Sequence, residues 1–336
     1  ALFRKRPILI VWRNNRIPMI ESRVRQGYVP AFLLGLLFSL PIALPVMFSW
    51  MCPLLAVPIC LVFFVSELKK GAWQLFLGIA GAAVIAFSLQ RVELLLFELT
   101  LCPLGIVLAW GAKKGESVFS SGGKGLFALF FSLLFFWLLF AAVTESNPYK
   151  DLLLSLDKGF EEALTMYTKG NAELPFDDQY ELQEYISSIR ANLPKLVPAM
   201  WLSSLTLTVW LNLIVANRLI GRLQGAVCPW QNFSQWRLPE QFVWLPIVAA
   251  FLALLTKGQA HSIGLALLAI ALLCYGFQGL AVSLAFFEKW RLPVLARGVL
   301  IVFLLVQGFG LLVFLALGLS DVWINWRNRN LPRIDA

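Results

Sequence analysis

Charged residues make up only 14% of this 336-residue chain, histidine occurs once, and the five cysteines show no CxxC spacing. Each scarcity excludes something. A lone His261 leaves no material for histidine-rich metal sites or for the usual triads built on a histidine base. Cys52, Cys60, Cys102 and Cys274 lie in or beside apolar stretches and read as small buried residues; with Cys228 they suggest neither a zinc site nor a disulfide framework. No GxSxG, HExxH or paired-aspartate signature occurs, which argues against intramembrane proteolysis and the common metal hydrolases. The segment from Ser120 to Gly125 resembles a phosphate loop but has Val118 in place of the first glycine and Gly125 in place of the Ser or Thr after Lys124, so it reads as a flexible turn. Neither an enzyme nor a cofactor is expected.

What the chain has in abundance is apolar residues, 59% of the total, with a mean hydropathy of +0.76. A soluble fold of this size cannot hide so much apolar surface, and the apolar residues come in long runs, as in helices solvated by lipid. The expected fold class is therefore all-α: a polytopic transmembrane bundle of about eight or nine spans with a small amphipathic helical insert. The net charge of +9 does not point to nucleic acid, because the cations sit in short segments beside the apolar runs and not on one basic face.

The chain divides into a basic cytoplasmic or interfacial arm (1–28), membrane helices (29–144), an acidic insert (145–195), further membrane helices (196–320) and a polar tail (321–336). In the arm, Arg4-Lys5-Arg6 and the apolar residues after it resemble the front of a signal peptide, but the apolar stretch is too short and no cleavage site follows. The first apolar block, Val29 to Val65, is broken by Pro41, Pro45, Pro53 and Pro58, which predicts a kinked or re-entrant pair. Spans follow at about 72–89, 92–110, 126–143, 196–216, 242–255, 263–287 and 294–319. Within the insert two amphipathic helices are expected, the second over Asp177 to Leu193. With the arm inside, the cations at Lys69-Lys70, Lys113-Lys114-Lys124, Arg218-Arg222-Arg237 and Lys289-Arg291 also fall inside and the insert outside. Nine spans would put the tail, with Arg327, on the other side; eight would keep the tail inside but invert the insert and the later loops. The two halves share no hydropathy pattern that would mark an inverted repeat.

Polar groups within apolar spans are the candidate functional residues, because hydrocarbon penalises them. Glu98 reads either as a proton or cation site, or partner of a ligand amine, or else as an interhelical tie or a pair with Arg91. Asn212, Gln278 and Gln307 occupy three later spans, and Tyr275 shares a helical face with Gln278. They either line a ligand pocket or hold helices together, and Gly276, Gly279, Gly308 and Gly310 nearby permit close helix approach.

The stretch Cys274-Tyr275-Gly276-Phe277-Gln278-Gly279-Leu280-Ala281-Val282, the segment Glu288-Lys289-Trp290-Arg291-Leu292-Pro293, the closing Leu317-Gly318-Leu319-Ser320-Asp321 with Arg327, the segment from Phe233 to Arg237-Leu238-Pro239, Asn212 and the proline-broken first hairpin resemble the YybS-like family of predicted bacterial membrane proteins. The resemblance runs from about Pro30 to Arg329. It implies a multi-pass protein of the bacterial cytoplasmic membrane, whose N-terminus the flanking cations place inside. Its architecture is similar to the substrate-binding subunits of energy-coupling-factor transporters and to the MreD shape-determining proteins. The partners expected are the lipid bilayer, a small-molecule ligand, and a protein that is either an ATPase or an envelope component. The leading expectation is a non-enzymatic transport or ligand-binding subunit; the alternative is an envelope scaffold.

Overall fold

The computed structural model describes residues 29–145, 147–170, 176–223, 228–324 and 326–327. The basic arm, part of the insert and the end of the tail lie outside these residues. Thirteen α-helices account for the architecture, with no strand among the described residues. They are α1 (Val29–Ala43), α2 (Pro45–Phe48), α3 (Ala56–Val65), α4 (Leu68–Ser88), α5 (Val92–Leu99), α6 (Cys102–Lys114), α7 (Val118–Thr144), α8 (Pro148–Gly170), α9 (Phe176–Leu223), α10 (Trp244–Leu255), α11 (Gln259–Lys289), α12 (Val294–Val306) and α13 (Phe309–Ile324).

Five helical units are long and apolar enough to cross a membrane, and up to seven are if each of two sharply bent pairs counts as one span. The apolar segments read from the sequence are all helical, but two of them turn back within the bundle. α1 and the 45–54 stretch meet at 115°, and α12 and α13 meet at 108°. Proline explains the first break. Pro41, Pro45 and Pro53 each remove a backbone N–H that would continue the ladder, and the chain passes through a 3-10 turn over Ser49–Leu54. At the second, Gly308 takes a positive φ of 68°, a conformation that favours glycine.

Contacts fix the direction of every pass. Gly35 faces Gly78, and Arg91, just beyond α4, donates to the carbonyls of Ile42 and Ala43, so α1 and α4 run the same way. Gly105 faces Ala56 and Ile59 while Lys113 donates to the Ser66 carbonyl, so α3 and α6 also run together. Val29 and Ser66 therefore lie at one end of the bundle. From there the chain crosses on α4, returns on α5–α6, crosses on α7 and returns on the second half of α9. The short apolar unit 240–255 carries it toward the opposite end and α11 brings it back. α13 follows the direction of α11: Gly318 abuts Tyr275, and Trp326 lies 6.4 Å from Phe286. Arg327 then donates to carbonyls of the loop between α9 and α10.

One end of the bundle thus gathers Val29, Lys69, Lys113, Arg218, Arg237, Lys289 and Arg327. Because the bent pair α12–α13 returns to the side it left, Arg327 joins the other cations, and the conflict between a basic tail and a nine-span count disappears. α13 also continues through Ile324, so Asp321 belongs to a helix and not to the polar tail.

The insert differs in one respect from its expected form. Its second helix does not stop near residue 193 but runs on into the span, giving one helix of 48 residues. Pro198 has no N–H for the carbonyl of Pro194 four residues back, and the Tyr149 hydroxyl donates to that carbonyl instead, at 2.9 Å. Arg190 on α9 meets Asp157 (2.7 Å) and Glu161 (3.2 Å) on α8, fastening the two insert helices.

One core, centred on Leu34, Phe38, Ile59, Leu104, Leu129 and Val209, joins the first helices to α9. α11 forms the axis of the second half, where Gly279 and Gly318 let α11 and α13 touch backbone to backbone; a Cβ on Gly279 would strike the Phe314 carbonyl. We predict that Gly279→Leu abolishes the monodisperse folded peak in detergent size-exclusion chromatography. Gly276→Leu, one turn away and facing open space, should change stability by no more than about 0.5 kcal/mol.

Candidate functional site

Asn212 is fully buried and donates to the Pro53 carbonyl at 2.6 Å and to the Thr208 carbonyl at 2.8 Å. Its amide thus reaches the 3-10 turn, where the helical ladder is broken, and ties α9 to the first hairpin. Glu98 lies on the other side of the same turn, 1% exposed. The Cys52 thiol donates to its Oε1 at 3.9 Å, while Oε2 has no partner. The pairing with Arg91 does not form, because Arg91 is engaged with the end of α1.

Gln278 stands at the centre of a buried polar chain. Its Oε1 accepts from the Leu238 backbone N–H at 3.2 Å and its Nε2 donates to Asp321 Oδ2 at 3.1 Å. The same oxygen accepts from Arg327 Nη2 at 2.6 Å, and Arg327 Nη1 continues to the carbonyls of Ser234 (2.9 Å) and Trp236 (2.8 Å). One chain of bonds therefore joins α11, α13, the segment after it and the loop ahead of α10. Asp321 is 3% exposed, and its pairing with a guanidinium is what makes a buried carboxylate tolerable here. Tyr275, one turn before Gln278, is also fully buried; its ring packs 5.9 Å from Phe242 and its hydroxyl has no partner.

Gln307 stands apart. It caps α12 at the break before Gly308, with its side chain exposed. The five residues singled out from the sequence thus fall into three places: Asn212 and Glu98 flank the first hairpin's turn, Tyr275 and Gln278 lie in the second half, and Gln307 is at a helix break. None of them lines the groove described next. Among the described residues, no group of three His, Cys, Asp or Glu side chains comes together to hold a metal ion.

A groove of about 720 Å³ lies elsewhere, between α9, α11, α12 and the 228–236 loop, at the basic end of the bundle. Arg218, Arg222 and Arg297 line it, with Glu288 3.7 Å from Arg297. Its inner wall is apolar, with Trp210, Leu280, Leu284 and Ile301. Trp210 stacks face to face on Phe277, 3.9 Å between centroids and 3° between planes. The loop wall is fastened: Asn217 exchanges hydrogen bonds with the backbone of Trp230 at 3.1 and 3.2 Å, and the Trp230 indole donates to Ser121 Oγ on α7 at 3.2 Å. Arg218 and Arg222 read from the sequence only as topogenic charge. Their spacing of four, one turn apart on one helix face, was the available signal.

A multi-pass helical membrane protein is what this geometry defines. Residues 31–322 match the family described as predicted membrane protein (DUF2232), and the chain belongs to that family, in accord with the YybS-like resemblance. No curated protein and no solved structure matches the chain.

Arg327→Met would leave Asp321 buried and unpaired, and we expect it to lower stability in detergent by about 3–5 kcal/mol in a denaturant titration. Gln278→Leu should cost less, about 1–3 kcal/mol, since it strands one N–H and weakens one carboxylate contact. Glu98→Gln, which keeps shape and removes the carboxyl, should leave the melting temperature unchanged or raise it, and a fall of several degrees would show that Glu98 has a structural partner.

Proposed function

We propose that this protein is a non-enzymatic ligand-binding subunit of the bacterial cytoplasmic membrane, oriented with its basic end in the cytoplasm, and that its ligand occupies the groove between α9, α11 and α12. The observation that carries this reading is the groove itself. Its volume falls within the range of small-molecule sites, it combines an apolar wall with a few convergent polar groups, and its loop wall is held in place before any ligand arrives. Of the amides first expected to line a pocket, Asn212 and Gln278 are engaged as ties and Gln307 is exposed at a helix break, so the binding role passes to Trp210 and the arginines. A protein partner, an ATPase by analogy with energy-coupling-factor subunits, would supply energy for any movement of the ligand.

The interhelical ties at Asn212 and Gln278 favour a second reading, an envelope scaffold of the MreD type, in which the acidic insert or the basic loops recruit proteins. The orientation is supported by the gathering of cations at one end. A reporter fused after Tyr149 should accordingly report the exterior.

The decisive measurement is a pull-down of the tagged protein from native membranes, with mass spectrometry of both proteins and small molecules. A ligand retained by the wild type and lost in Gly298→Leu is expected, because Gly298 lines the groove and its Cβ position meets only open space, so the leucine fills the site without a clash. Recovery of division or cell-wall proteins with no retained molecule would favour the scaffold.

A further inference from the structure

The groove has a direction as well as a volume. Its lining on α9 runs from Trp210 to Arg222, roughly 18 Å at 1.5 Å per residue. Half of a hydrocarbon core about 30 Å thick is about 15 Å. The groove therefore matches the depth of a single leaflet, starting at the basic end of the bundle and finishing near the mid-plane, where Asn212 meets the first hairpin's turn.

Polarity is graded along that depth. Arg222, Glu288 and Val294 lie toward the ends of their helices; Trp210, Leu280 and Ile301 lie further in. Arg297 is shared with Glu288 at 3.7 Å and with the Leu292 carbonyl at 2.8 Å. Arg218 and Arg222 have no anionic partner among the described residues, although both line the groove. Two uncompensated guanidiniums one turn apart make a fork-like donor set suited to phosphate oxygens. The site thus presents cations at the depth of lipid headgroups and an aromatic, aliphatic channel at the depth of the chains. A soluble anion would use only the mouth, and a neutral apolar molecule only the interior.

We infer that the groove holds an anionic phospholipid from the leaflet on the side of the basic loops, its phosphate between Arg218, Arg222 and Arg297 and one acyl chain along Trp210, Leu280 and Ile301. This rests on the reading of the groove as a ligand site and names the class of its ligand.

The test uses the full chain in detergent, stripped of endogenous lipid and offered dioleoyl phosphatidylglycerol or dioleoyl phosphatidylcholine, with retained lipid counted by native mass spectrometry. One phosphatidylglycerol per chain should survive, with phosphatidylcholine retained at least tenfold less. Arg218→Gln with Arg222→Gln should reduce phosphatidylglycerol retention about tenfold or more, since each basic residue near an anionic headgroup contributes several-fold. Gly298→Leu should remove retention altogether, and millimolar inorganic phosphate should not compete. Equal retention of the two lipids, or phosphatidylglycerol retention lost in Gly298→Leu but untouched by the arginine changes, would overturn the anionic-lipid assignment while leaving the groove a ligand site. Competition by inorganic phosphate would reassign the mouth to a soluble phosphate. Retention unaffected by Gly298→Leu would place the lipid elsewhere and remove both readings.

Discussion

In hydrocarbon a backbone carbonyl without a hydrogen-bond donor has no water to turn to, and this fold interrupts its helices repeatedly. The structure is organised around repairing those interruptions with side chains from other helices. Arg91 closes the end of α1, Lys113 closes α3, Asn212 serves the 3-10 turn at Pro53, and Tyr149 serves the carbonyl that Pro198 leaves open. Arg327 does the same for the Ser234 and Trp236 carbonyls ahead of α10. Each repair links segments distant in sequence, so the breaks that weaken individual helices also specify how the helices assemble. A bundle of unbroken apolar helices would lack these markers of position, because lipid and leucine are nearly equivalent solvents for one another.

This explains which parts of the architecture could be read in the residues. The apolar segments were legible because hydropathy over a span is a summed quantity that single residues do not upset. The proline cluster from Pro41 to Pro58 announced a break. The hidden part was direction: hydropathy is the same whether a segment crosses or turns back, and only Arg91 on Ile42, or Trp326 beside Phe286, reveals that two segments enter and leave by one end. The turn at Gly308 carries no proline, so the last apolar run read as a single span.

The candidate residues show a similar division. Burial of Glu98, Asn212 and Gln278 followed from their position in apolar runs, but polar residues in such runs announce a need for partners without naming them. Gln278 found its partner in Asp321, which sits near a span end where an aspartate looks like ordinary surface. The groove was invisible for the opposite reason. Its arginines lie where topogenic cations are common, and Trp210 lies within an ordinary apolar run, so nothing local separates them from the background. Only the approach of α12 and the 228–236 loop to α9 gives them a shared cavity.

The return of the chain to the basic end, on α3 after the first break and on α13 after the second, has a consequence for how it is made. Among the described residues, the end of the bundle opposite the cations carries three hydrophilic pieces: the turn around Arg91, the turn around Lys257, and the acidic insert. Two are only a few residues long. In the orientation proposed above, the insertion machinery has one substantial polar stretch to translocate, and it is the stretch richest in carboxylates and so the least opposed by the rule that retains lysine and arginine. Assembly then reduces to a single demanding export event, after which the short hairpins can enter from the side on which they were synthesised.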